Sequence, residues 1–245
     1  METEGSRNVG GLRLWALLWA AGTILTAVAA SSASAWVVPG SPAEPSPAGP
    51  PGRAAKPAIA DDHISYGAER RRQMAAYSKR HYGSREWRLR KPEVIVLHFT
   101  ATDSYDSVWS TFDSNAPNLG EQPGVCSQYV IKQSGTIAEL VPPGIRCRHT
   151  IGLNQTAIGI EMVQASGRGS HWADQEILGR HPQIRSALRL VRWLQDRYGV
   201  PTGEVIGHAM ANADPHFKDL EGWTNDHTDW LKRDVVEFRR RLKSH

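Results

Sequence analysis

The chain has 245 residues, 22 % of them charged, with 9 Trp, 2 Cys and a net charge of +4. That bounds it as one globular domain with extra segments. The positive balance alone would admit a nucleic-acid partner, but an export signal at the N-terminus argues against one. Residues 1–13 hold Arg7 and Arg13, residues 14–30 carry no charge, and Ala33-Ser34-Ala35 follows as a small-x-small cleavage site. This is the three-part pattern of a secretory signal peptide over residues 1–35. An uncleaved anchor is the other reading, although the apolar run is short for a span of about 20 residues. Cleaved, the protein is expected to be secreted and wall-associated, without a membrane span. Residues 36–60 are rich in Pro, Ala, Gly and Ser and read as a disordered spacer. The folded domain is expected over 61–245, with its core over 92–245, and is read as a monomer.

Within the domain, residues 67–82 read as a helix, with Met74, Tyr77 and His81 at helical spacing and Gly83 as its stop. Residues 94–98 are too short and too β-branched for a helix and read as a buried strand. A helix is expected from Asp103 to Phe112. Residues 127–131 and 136–141 pair as a hairpin whose turn contains Gly135 for a positive φ. Ala157 to Val163 is a second buried strand. Residues 183–198 form an amphipathic helix opened by Pro182 and closed at Gly199. A strand over 204–207, an irregular stretch over 209–228 and a last helix over 230–242 complete the order. Strands alternating with helices in this way predict an α/β fold, a mixed central sheet with helices on its faces.

Two strands end in an imidazole: His98 closes Val94-Ile95-Val96-Leu97, and His208 closes Val205-Ile206-Gly207. Two such strand ends suggest two ligands meeting at one sheet edge, and neutral imidazole is the commonest protein ligand for zinc. Glu161 lies in the apolar strand Ala157-Ile158-Gly159-Ile160-Glu161-Met162-Val163, where a carboxylate is costly unless paired or used. It is the candidate general base. A catalytic zinc site needs a third ligand, and Asp226-His227-Thr228-Asp229 supplies candidates just before the last helix. Cys126 and Cys147, in an exported protein, are expected to form a disulfide. A thiol hydrolase using either cysteine with His149 is the competing enzyme class.

The segments VIVLHFTAT, SQYVIKQSGTIAELVP, RHTIGLNQTAIGIEMV, VIGHAMAN and HTDW resemble the zinc-dependent N-acetylmuramoyl-L-alanine amidases, the superfamily that includes the peptidoglycan recognition proteins. The likeness covers about residues 92–230, and residues 61–91 look like an N-terminal addition seen in actinobacterial members. The resemblance implies a peptidoglycan substrate, a Zn2+ cofactor, and ligands His98, His208 and Asp229. It implies Glu161 as general base and His227 in the place of a Lys that stabilises the oxyanion, with His149 and Asn154 lining the substrate cleft. Two departures stand out. Gln128 occupies a position where the family often has His. The link from His208 to Asp229 is long, so Asp214, His216, Asp219 and His227 also stand as third-ligand candidates. A non-catalytic peptidoglycan-binding module is the alternative function.

Overall fold

The computed structural model describes residues 53–244; the segment read as a signal peptide and most of that read as a spacer lie outside the described residues. Among these residues a six-stranded sheet has the order β1-β4-β3-β5-β2-β6. The strands are β1 (Ile59–Asp61), β2 (Val94–Ala101), β3 (Tyr129–Ile131), β4 (Ile137–Glu139), β5 (Ala157–Ala165) and β6 (Val205–Gly207). Only the β3–β4 hairpin is antiparallel, so the sheet is mixed, as expected. Gly135 takes φ +90° in the hairpin turn, a conformation that costs glycine nothing. Strand β1 begins inside the stretch read as spacer and pairs with β4.

The helices are α1 (Ala68–Tyr82), α2 (Tyr105–Asp113), α3 (Ser170–Gly179), α4 (His181–Tyr198) and α5 (Lys232–Lys243). Gly83 and Gly199 stop α1 and α4 in the left-handed conformation. Ser104 caps α2 by accepting from the Ser107 N–H. Helix α3 was not anticipated, and the last helix starts at Lys232 rather than at residue 230. None of the described helices is long and apolar enough to cross a membrane.

The alternation of β2 divides the core. Ile95 and Leu97 face the cluster formed with Leu188, Val191, Leu194, Val235 and Phe238 of α4 and α5. Val94 and Val96 face the opposite side, with Leu153 and Ile206. His98 continues the second set, on the face away from α4. Its register partner on β5 is Glu161, so the imidazole and the carboxylate project side by side from neighbouring parallel strands. Beside them, Cys126 and Cys147 form a disulfide within a smaller cluster that includes Val130, Leu140 and Val163. With both sulfurs bonded and buried, the thiol-hydrolase reading is overturned.

Candidate metal centre

Three buried side chains meet at the C-terminal ends of β2 and β6. Nδ1 of His98 lies 3.1 Å from Oδ2 of Asp229, and Nδ1 of His208 lies 3.2 Å from Oδ1 of the same carboxylate. One donor atom from each of His98, His208 and Asp229 falls within 4.8 Å of the others. Burial alone would raise the Asp229 carboxyl, but the two facing imidazoles, His208 first and then His98, outweigh it and hold the group well below the usual carboxylate range. Burial, reinforced by His208, pulls His98 down to about 4. Two imidazoles and an ionised carboxylate form a donor set suited to zinc.

The other third-ligand candidates are elsewhere. Asp214 and His216 sit together with Glu204. Asp219 bonds Nδ1 of His81 on α1 at 2.8 Å, with both side chains fully buried. His227 lies at the mouth of the site, with 63 % of its side chain exposed. Its ring stacks on His208 at 4.4 Å with an interplanar angle of 12°, and its Nδ1 is 4.0 Å from Asp229. Asp229 is therefore the candidate that clusters with His98 and His208, and His227 lies beside it, facing the cleft.

Glu161 stands at the floor of a cleft of about 450 Å³ that is also lined by His98, His149, His208, His227 and Asp229. Its Oε2 is buried and has no hydrogen-bond partner. Burial, with the negative charge of Asp229 adding to it, pushes Glu161 up to about 8. A carboxyl with a free oxygen and a pKa near neutrality suits a proton acceptor.

Behind the site, His98 is held by the segment after Cys147. Its Nε2 lies 3.1 Å from Nδ1 of His149 and 3.3 Å from Oγ1 of Thr150. Nε2 of His149 lies 3.4 Å from the carbonyl oxygen of Ala157. A carbonyl only accepts, so that nitrogen carries the proton and Nδ1 of His149 accepts from His98. Burial, then the neighbouring His98, keeps His149 well below its ordinary value and therefore neutral. The His149 ring lies flat against Gly159, where an added Cβ would come within 2.8 Å of it. The glycine of the IGIE strand is thus a close-approach position. Asn154, read as a cleft residue, does border the cleft. Its amide, however, is committed inward: Oδ1 accepts from the backbone N–H groups of His149 and Thr150, and Nδ2 donates to the Tyr82 hydroxyl. Gln128 likewise works internally, donating to the Ile145 carbonyl and accepting from the Gly159 N–H.

Sequence reasoning passed over the residues that fix the third corner. Trp230 adopts φ +56°, an uncommon conformation for a bulky side chain. Both carboxylate oxygens of the buried Asp174 on α3 hold this turn, accepting from the N–H groups of Trp230 and Leu231 at 3.0 and 2.9 Å. The Trp230 indole donates to the His98 carbonyl at 3.2 Å, and the Ala209 N–H donates to the Asp229 carbonyl at 3.0 Å. One turn therefore ties all three clustered residues, His98, His208 and Asp229, together. Gly207 makes room for it: a Cβ there would lie 1.8 Å from the Trp230 carbonyl oxygen. Gly207→Ala is expected to cost about 3 kcal/mol, measured as a shift in the urea midpoint at unchanged slope. A change under 0.5 kcal/mol would show that the turn is not packed as described.

A mixed sheet with a His-His-Asp group at the ends of parallel strands, beside an unpaired carboxylate in an open cleft, defines a hydrolase-type site able to hold a metal ion. Residues 88–220 match the family model described as N-acetylmuramoyl-L-alanine amidase, just over half of the chain, and the chain belongs to that family. Its activity is hydrolysis of the amide between N-acetylmuramic acid and L-alanine in peptidoglycan. No curated protein matches the chain.

Solved structures similar to it include the endolysin N-acetylmuramoyl-L-alanine amidase LysCS from Clostridium intestinale, at 17 % identity over 78 % of this chain and 99 % of that one, TM-score 0.48. The Ph2119 endolysin from a Thermus scotoductus bacteriophage is 19 % identical over 62 % of this chain and 89 % of that one, TM-score 0.43. The N-acetylmuramyl-L-alanine amidase AmiD from E. coli is 24 % identical over 48 % of each chain, TM-score 0.38. The family match ends before Asp229, and α1 lies ahead of it. Yet α1 reaches the cleft: Tyr77 lines it, and the Tyr82 hydroxyl holds Asn154.

Proposed function

We propose that the amidase is zinc-dependent, with His98, His208 and Asp229 as ligands, Glu161 as general base and His227 as oxyanion donor. The observation that carries this reading is the convergence of two imidazole Nδ1 atoms on one buried carboxylate beside an unpaired carboxyl. When bound, zinc supplies Lewis acidity to the scissile carbonyl and to the attacking water. The cleft admits the muramyl-peptide bond, and Glu161 removes the water proton and returns it to the departing L-alanine amine. His227, free at the mouth of the site, donates an N–H to the oxygen that gains charge. The non-catalytic binding module is not favoured, since all three ligand-type side chains and the carboxyl are present and assembled.

The same reading has the chain exported to act on the wall. The uncharged run at 14–30 and the Ala33-Ser34-Ala35 site support secretion, and the disulfide suits an oxidising compartment. Treatment with a strong chelator should abolish release of L-alanine-terminated peptides from purified peptidoglycan, and added Zn2+ should restore it. Full activity in the chelated, metal-depleted protein would refute zinc dependence.

A further inference from the structure

The face of His208 that points away from Asp229 rests on the long loop between the second and third corners. Nε2 of His208 lies 3.0 Å from Oδ1 of Asn225. An amide can be turned either way around, so this contact alone does not say which nitrogen of His208 carries a proton. The surroundings of Asn225 do. Its Oδ1 also accepts from the Ile151 N–H at 3.0 Å, and its Nδ2 donates to the Ile151 carbonyl at 2.9 Å. The side-chain amide thus pairs with one residue's backbone as a strand would. A flipped amide would set oxygen against carbonyl oxygen and N–H against N–H. Nδ2 further donates to Oδ1 of Asn212 at 3.1 Å, and Asn212 holds the Asn225 backbone by two more bonds, at 2.8 and 2.9 Å. The amide orientation is over-determined, and Oδ1 can only accept.

Nε2 of His208 therefore carries the hydrogen. Its Nδ1 faces the Asp229 carboxylate at 3.2 Å, and a carboxylate also only accepts. Nδ1 and the Asp229 carboxylate thus face each other as two acceptors, the arrangement a metal ion placed between them would satisfy. Ile151 follows directly on His149 and Thr150, which back His98. One short segment thereby orients both histidines, the first directly and the second through Asn225.

We propose that Asn225 is a positioning residue: it locks His208 with hydrogen on Nε2 and directs Nδ1 at the metal. The loop that carries it is anchored by the Lys218 N–H to the Gly152 carbonyl and by the Leu220 N–H to the His81 carbonyl, at 2.9 and 2.8 Å. The long connection from His208 to Asp229 is in this view a functional part of the metal site. The proposal rests on the zinc reading above for what Nδ1 meets, but not for which nitrogen is protonated.

The test compares Asn225→Ala with Asn212→Ala in the full chain. Outer-shell partners of a metal-bound histidine are worth about 10–100-fold in affinity, so Asn225→Ala should weaken Zn2+ by that factor in a chelator-competition titration. It should also remove the protected Nε2–H signal of His208 from 15N-edited NMR spectra. Asn212→Ala loosens the same loop yet leaves the acceptor facing Nε2, and should retain both the signal and the affinity. Unchanged zinc binding in Asn225→Ala would overturn the proposal, as would equal losses in the two variants, which would reduce Asn225 to loop scaffolding. Absence of an Nε2–H signal in the wild type would overturn it too. A wild-type protein that takes up no Zn2+ would instead refute the metal reading, while its NMR spectrum would still test Asn225.

Discussion

Glu161→Gln is expected to lower turnover by about 10³-fold or more while Zn2+ is retained in full, because a positioned base contributes 10²–10⁴-fold and no other carboxyl can take its place. Asp229, the neighbouring acid, is already engaged by two histidines. Glutamine preserves shape and bulk, so loss of activity together with retained metal isolates the proton-accepting function. Substantial activity in this variant would sink the assignment.

The same variant has a stability signature of definite sign. The folded state raises Glu161 from 4.5 to about 8, burial being the main cause. The folded protein therefore holds a proton that the unfolded chain releases, and stability falls as pH rises from about 4.5 to 8. Gln has nothing to ionise. In the metal-free protein Glu161→Gln should thus be neutral near pH 4 and more stable than wild type by on the order of 2 kcal/mol above pH 8, a figure discounted for the open cleft. Urea titrations at the two pH values measure it. A difference that does not grow with pH would place the carboxylate in a better-solvated setting than the cleft floor. In the zinc-loaded enzyme a nearby cation favours the ionised carboxylate, so the acid limb of kcat/KM should fall below pH 8.

Legibility in the sequence tracked how far each element's stability is written in its own side chains. β2, β5, β6, α4 and α5 carry dense apolar runs at the right period, and they were readable for that reason. Helix α3 was not, because its inward face includes Asp174, buried beside Ala173, Ile177 and Leu178, and a polar residue there breaks the apolar stripe. Strand β1 has three residues, two of them exposed; it exists because β4 offers it a backbone edge.

The site followed the same logic. His98, His208 and Glu161 were conspicuous because apolar strands rarely contain such groups. Asp229 needed the resemblance, and then the geometry, to stand out from Asp214, His216, Asp219 and His227. Asn225 was invisible, because its role is set by the backbone of Ile151, 74 positions away. The resemblance made Asn154 a cleft residue, but only the fold shows Tyr82 claiming its amide.

Asp229→Ala is expected to reduce Zn2+ affinity by more than about 100-fold, since even outer-shell partners cost 10–100-fold, whereas His227→Ala should keep the metal. The two residues are separated by one position and lie 4.0 Å apart, yet their settings differ sharply. Asp229 is buried between two imidazoles, while His227 is open to the cleft. Removing Asp229 leaves His98 and His208 facing each other across the gap, with ring centroids 4.6 Å apart and no anion to offset a cation. Because the folded state depresses the Asp229 pKa, its contribution to stability is present above the unfolded carboxylate value near 4 and is lost as pH falls below it. The metal-free wild type should therefore lose stability on acidification in a step that Asp229→Ala lacks. His227→Ala should instead show unchanged zinc content and a kcat lowered by about 10²-fold or more, the usual worth of one oxyanion donor. Metal analysis of the two purified variants beside their steady-state kinetics separates the roles. Loss of zinc in His227→Ala with retention in Asp229→Ala would exchange the assignments and move the third corner of the site to the cleft mouth.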